Sequence, residues 1–374
     1  MNAGALAAEF TVPFYGLLFC ALPAVTKPTI QFGVRIPPER IGATVIGVQR
    51  RAYYRRTAVI GVCCTVAAIL LAVLGSRWPP LLIQPVEVAA DIGCVLVARR
   101  KITAVKRAER WFAGLRQTIV ADTGWRADPP RFPARWLIPA LAVTAATVLI
   151  GVIRYPELPG RLTDGFGAWA APGHQVPKTA VTVFAPVFAQ LWVTALWTAI
   201  MLIIYRSRPD IDTADPAASV RRYRRLLARC TSAMLVLVTL INLSLLLAAL
   251  RNWQYYRLSG AGAALPMLPY AAGLLVLVTF ALRSGQGGFR LAADGIDDAR
   301  PLDLPRRAGL ADRDDDRFWK GGLIYVNRDD PALMVSARLG VGWTFNLANP
   351  AAWLLISAIA GVPAGLVIIA VLTR

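Results

Sequence analysis

Gln84, Glu87 and Asp91 are the residues of this chain best placed to do chemistry. Steps of three and four put one amide and two carboxylates on a single helix face. The run that holds them, residues 81–97, is otherwise apolar enough to read as a membrane span, although it is short and contains Pro85. Ionisable groups at membrane depth are rare and costly, and they face a cavity or a partner. Glu9, in the first apolar run, could join them. This set predicts proton or cation coupling. The competing expectation is a tilted or shallow span whose carboxylates are wet or paired with Arg77.

No second constellation competes with it. His174 is the single histidine, in a loop rich in Pro and Gly, without a nearby nucleophile or a second histidine for a metal. Cys20, Cys63, Cys64, Cys94 and Cys230 lie in or beside apolar runs without metal-ligand spacing and read as buried thiols. Asp312, Asp314 and Asp316 imitate the start of a calcium loop. Arg317 stands where that loop needs Gly, however, and Leu323 where it needs Glu. The expectation is a protein that is not an enzyme, with no metal and no cofactor.

One other stretch reads as a small packed motif, residues 318–350, FWKGGLIYVNRDDPALMVSARLGVGWTFNLANP. Tyr325 sits in a short β-type run, and Arg328-Asp329-Asp330-Pro331 is turn chemistry. Trp343, Phe345 and Leu347 alternate as on one face of a strand. A two- or three-stranded meander is predicted, too small to stand alone in water. It is either a plug before the last span or a binding surface made by Trp319, Tyr325, Asn327, Asp329, Asp330, Trp343 and Asn346.

The elements that must hold these groups follow from composition. A chain of 374 residues that is 56% hydrophobic and carries a net charge of +19 has too much apolar surface for a soluble core. It fits an all-α integral membrane protein with basic loops. Arginine supplies 36 of the 41 basic residues, which reads as coding bias, and no base-reading motif accompanies it, so no nucleic-acid partner is expected. With about 20 apolar residues needed to cross, eight spans are predicted at 5–25, 57–75, 81–97, 136–154, 180–205, 231–250, 267–282 and 351–372. The first lacks a basic leader and is read as retained. Loops after spans one, three, five and seven hold 34 of the 41 basic residues. Positive-inside bias then puts both termini outside the plasma membrane and residues 318–350 in the cytoplasm.

The expected organisation is a first membrane half at 1–154, an extracytoplasmic loop at 155–179, a second helix group at 180–283, a flexible linker at 284–317, the β-rich motif at 318–350 and a last helix at 351–372. Arg50, Arg51, Arg55 and Arg56 before span two are echoed by SVRRYRRLLARC before span six, which suggests two parallel halves. The stretch RRKITAVKRAERWFAGLRQTIVADTG, residues 99–124, reads as a basic amphipathic helix, with Ile102, Val105, Phe112, Leu115 and Ile119 on one face. It would lie on anionic lipid headgroups or pack as a plain helix.

Three stretches resemble a bacterial membrane family of unknown function related to SdpI-type immunity and signalling proteins. The outer loop YPELPGRLTDGFGAWAAPGHQVPKT carries Leu158, Pro159, Arg161, Phe166, Pro172 and Lys178 of its signature, with Thr163 where Pro is usual and Gly165 where His is usual. PTIQFGVRIPPER resembles a second signature. A third, WKxGLxYxNxDDP followed by GxGWTxN, falls on Trp319 to Pro331 and Gly340 to Asn346. The resemblance implies toxin immunity, or membrane capture of a transcription regulator. Two readings follow: a sensor or immunity-type protein with an envelope ligand and a cytoplasmic partner, and a small proton-coupled carrier using Glu87 and Asp91.

Overall fold

The computed structural model describes residues 3–74, 83–118, 130–163, 175–207, 211, 216–256, 265–291, 310–312 and 314–359. They are mostly helical. The long helices are α1 (Ala3–Val25), α2 (Thr44–Val73), α3 (Ile83–Ala108), α4 (Ile138–Arg154), α5 (Ala180–Tyr205), α6 (Pro216–Asn252) and α7 (Met267–Ser284). A further apolar helix, α8, covers Pro350–Ile359. Five helical stretches are long and apolar enough to cross a membrane: Thr44–Leu71, Ala134–Glu157, Ala180–Tyr205, Ala218–Asn252 and Met267–Gly288. They coincide with the second, fourth, fifth, sixth and seventh expected spans. The third expected span lies in α3, whose C-terminal half carries Arg99, Arg100, Lys101, Lys106 and Arg107 and is too charged to qualify.

The helix surfaces match a bilayer. Along α2, exposed Arg50, Arg51 and Arg55 give way to exposed Val59, Val62, Val66, Ile69 and Leu70. A basic collar followed by an outward apolar belt is what headgroups and acyl chains require. Helix ends are set locally. Thr179 caps α5 in a reciprocal box with Thr182, and Gly285, at φ 65°, ends α7. Asn349 accepts from the Ala351 amide at 3.0 Å and so starts α8.

Two helix groups result. Helices α1, α2 and α3 pack on one another, and α4, α5 and α6 do likewise, while α7 lies along α6 and also touches α1. At the basic end, Phe32, Val34 and Ile36 pack on Tyr53 and the Cys94–Ile102 face of α3. In the second group, Ile200, Met201, Ile204 and Tyr205 pack on Tyr223, Leu226 and Leu227. At the opposite end, Leu158, Leu162 and Val183 enclose Trp253.

The short strands are β1 (Ile30–Gln31), β2 (Val34–Arg35), β3 (Arg116–Thr118), β4 (Arg161–Thr163), β5 (Gln175–Pro177), β6 (Leu310–Asp312), β7 (Trp319–Lys320), β8 (Ile324–Tyr325), β9 (Met334–Ser336) and β10 (Trp343–Phe345). Two expectations change. The predicted meander is two antiparallel hairpins, β7–β8 and β9–β10, joined through one bridge between Tyr325 and Asn346. The basic helix expected from Arg99 onward stops at Ala108. Arg110 turns the chain at φ 46°, and Arg116–Thr118 then pairs in parallel with Leu310–Asp312. Apolar periodicity carried on across a turn that its residue types do not announce.

Candidate functional site

Glu87 and Asp91 come together on the buried face of α3, one turn apart, and both are fully buried. None of their four carboxyl oxygens has a hydrogen-bond partner among the described residues. Glycines make this possible. A Cβ built on Gly16 of α1 would lie 2.8 Å from Glu87 Oε1, and one on Gly61 of α2 would lie 3.7 Å from it. The carboxyl is wedged where the backbones of α1 and α2 come close at Gly16 and Gly61. Buried charge without a partner is prohibitively costly, so such a pair holds protons or a cation. Gln84, a turn earlier, is half-buried. The side chain of Glu9 lies outside the described residues. Nearby, Cys20 and Thr57 touch at 3.2 Å, and the Tyr53 hydroxyl donates to the Phe19 carbonyl at 2.8 Å. The described residues contain no group of three His, Cys, Asp or Glu that could hold a metal.

A second buried polar centre joins α4, α5 and α6. Gln190 and Asn242 are fully buried there with Thr144, Thr147 and Thr194. Gln190 Nε2 donates to Thr147 Oγ1 and to the Asn242 carbonyl, each at 2.9 Å. Asn242 Nδ2 reaches Thr194 Oγ1 at 3.0 Å, a bond between α6 and α5. Sequence reasoning missed Gln190, whose only signal is a lone amide in an apolar run.

The hairpin motif with the acidic residues before it forms a strap, residues 314–346, across the basic end of both groups. Its first half lies on the first loop and α3. Gly33, at φ 72°, meets Gly322 backbone to backbone, and a Cβ on Gly33 would fall 2.8 Å from Gly322 Cα. Arg99 donates to the Gly33 and Trp319 carbonyls. Lys106 bridges Asp314 at 2.8 Å and Asp316 at 2.7 Å. Arg338, from the second half, reaches back into this site. It pairs with Asp315 and Asp316, donates to the Gly33 carbonyl at 3.2 Å and lies 5.0 Å over the Trp319 ring. Burial alone would push the Asp316 carboxyl up, but Arg338 and Lys106 outweigh it and hold the group below the ordinary range. The rest of the second half packs on α5 and α6. Met334, Trp343 and Phe345 join the Tyr205–Tyr223 cluster, and Trp343 Nε1 donates to the Tyr223 hydroxyl at 3.0 Å. Gln286 ties the groups once more, accepting from the Lys27 amide at 2.9 Å and donating to the Ala337 carbonyl.

Most of the candidate binding residues are engaged within the strap. Asn346 is buried and fully used. It donates to the carbonyls of Asn327 and Asp330 at 2.8 and 2.9 Å and accepts from the Asn327 amide at 3.1 Å. Tyr325 donates to Asp330 at 3.0 Å and accepts from Asn327 Nδ2 at 3.1 Å. Burial pushes its phenol up to about 12; the Asn327 bond opposes this and the Asp330 carboxylate adds to it. Trp319 is buried and Trp343 half-buried, while Asp329 is exposed. The sequence does not announce the triple aspartate as an anchor, because its partners are up to 281 positions away, as between Asp316 and the Arg35 amide.

At the far end, Leu158 is buried, while Pro159 and Arg161 are exposed. Lys178 donates to the Leu158 carbonyl at 3.0 Å and lies 4.8 Å over the Tyr155 ring, closing the β4–β5 hairpin. Phe166, Pro172 and His174 lie outside the described residues.

Residues 328–353, the strap's second half and the start of α8, match a family of unknown function (DUF5808). No curated protein and no solved structure matches the chain.

Proposed function

We propose that this integral membrane protein is a small proton-coupled carrier, with Glu87 and Asp91 as the proton-exchanging pair. The observation that carries this reading is the complete burial of four carboxyl oxygens without a donor among the described residues. In this reading the chain crosses the plasma membrane eight times with both termini outside. The basic collars rest on anionic headgroups, the strap lies in the cytoplasm, and no enzymatic step is involved. The wedge between Gly16 and Gly61 favours a proton over a hydrated metal ion, since the carboxyl already lies against both helices.

The test uses the full chain in proteoliposomes with an entrapped pH dye. An imposed substrate or pH gradient should move protons through the parent. The Glu87→Gln, Asp91→Asn variant should not. Equal flux in parent and variant removes the pair from the mechanism.

A signalling or immunity role, with an envelope ligand at the β4–β5 hairpin and a soluble partner such as a transcription regulator, is the second reading. It is favoured by one surface: Ile324, Arg328 and Asp329 are exposed on the strap. Partner docking would use that edge, since Trp319, Tyr325 and Trp343 face the bundle or the strap itself. A partner held by the parent in membranes and released by Arg328→Glu with Asp329→Lys supports it. Retention by both chains sinks it.

A further inference from the structure

The α4–α5–α6 joint has hydrogen-bonding capacity of one sign left over. The Thr144 hydroxyl donates to the Ala140 carbonyl at 3.0 Å and Thr147 to the Val143 carbonyl at 2.8 Å, so both oxygens serve only as acceptors. Gln190 spends its amide hydrogens on Thr147 Oγ1 and the Asn242 carbonyl. Asn242 Nδ2 faces Thr194 Oγ1 at 3.0 Å, with Thr144 Oγ1 and the Ala140 carbonyl each at 3.4 Å.

These neighbours decide which way both amides point. Turning Gln190 over would set its carbonyl against the Asn242 carbonyl. Turning Asn242 over would set its oxygen against the Ala140 carbonyl and a hydroxyl already committed elsewhere. Both amides therefore keep their orientation, and Gln190 Oε1 and Asn242 Oδ1 are left buried without a donor among the described residues.

A ligand here must bring hydrogens or positive charge. An anion has nothing to meet. Hard cations such as calcium and magnesium take about six or more oxygens, and this joint offers two that are not already facing an N–H. No carboxylate contacts either amide in the network described. Water suits it, since a buried water is held by two to four polar partners. We propose that the joint is a hydration site inside the membrane, in which water donates to Gln190 Oε1 and Asn242 Oδ1. This inference is independent of the carboxyl pair.

X-ray radiolysis of the full chain in nanodiscs, with a switch to ¹⁸O-labelled water, tests it. Side chains beside Gln190 and Asn242 should be oxidised despite their burial, and the heavy isotope should arrive there more slowly than at exposed sites. Gln190→Leu with Asn242→Leu should lower that oxidation several-fold. Absence of oxidation in the parent overturns the proposal, as does unchanged oxidation in a folded variant. The parent alone gives a second arm should the variant not fold. Its melting midpoint should be equal in sodium, potassium, ammonium and choline chloride. A saturable rise with one of the first three would assign the joint to that cation and overturn the water reading.

Discussion

Replacing Arg338 with Met tests whether the strap joins the helix groups or only rests on them. The side chain is 2% exposed, and the substitution keeps its apolar stem while removing every polar contact. Breaking a buried ion pair by deleting one partner costs about 3–5 kcal/mol. Here Asp316 keeps Lys106, Asp315 keeps Arg35 at 3.4 Å, and the Gly33 carbonyl keeps Arg99. The two carboxylates are also partly exposed. A cost of about 2–4 kcal/mol remains. Charged to opening of the strap, that raises amide exchange by about 30- to 900-fold where opening governs it.

Hydrogen-exchange mass spectrometry in nanodiscs reads this directly. Residues 27–36, 314–326 and 334–346 should accelerate together, because Arg338 contacts or supports all three. Acceleration of 334–346 alone would refute the bridging argument. The acid dependence carries the same sign. Asp316 has a folded pKa below its unfolded value, which is about 3.9. Its contribution is therefore complete above that value and is lost as pH falls through the lower folded one. Strap opening, corrected for intrinsic exchange, should be flat from about pH 5 to 8 and rise only in stronger acid.

Gly33→Ala should be more damaging than an ordinary loop change. It forces a side chain onto φ 72° and into the Gly322 backbone, at a cost of about 1–3 kcal/mol or more, visible as faster exchange over 27–36. The two glycines at Glu87 should behave differently. Gly16→Ala must displace the carboxyl and should lower the melting midpoint, whereas Gly61→Ala meets its neighbours at ordinary contact distance and should be tolerated. Equal effects from the two would contradict the wedge geometry.

Helical character and the Glu87–Asp91 pair were legible because both rest on local periodicity. Runs near span length and steps of three and four need no tertiary information. Trp343 was not legible in the same way. Alternation put it on one strand face, but nothing local says that Tyr223, 120 positions earlier, covers that face. Asp314 and Asp316 resemble a calcium loop because their spacing is local, while their partners Lys106 and Arg338 are distant in sequence. Gln190 went unnoticed because one amide hardly lowers the hydropathy of a span. Its meaning arises only when Thr147 and Asn242 arrive from other helices. The end of α3 was missed because Phe112 and Leu115 continue the apolar rhythm past the turn at Arg110.

Glu87→Gln separates the two protonation states that the buried pair could hold. Gln keeps nearly the same shape and cannot ionise. If Glu87 carries a proton in the resting protein, the substitution exchanges one neutral group for another between Gly16 and Gly61, and thermal stability at neutral pH should change by less than about 1 kcal/mol. If Glu87 is ionised there, Gln removes an uncompensated buried charge and should stabilise the chain by several kcal/mol. The size of a single melting shift thus decides between a proton-loaded Glu87 and one that is ionised and uncompensated. Measuring it with the strap intact keeps the result independent of Arg338, which lies with the other group of charges at the basic end. A clear rise in stability would leave the proton-loaded reading without its physical basis.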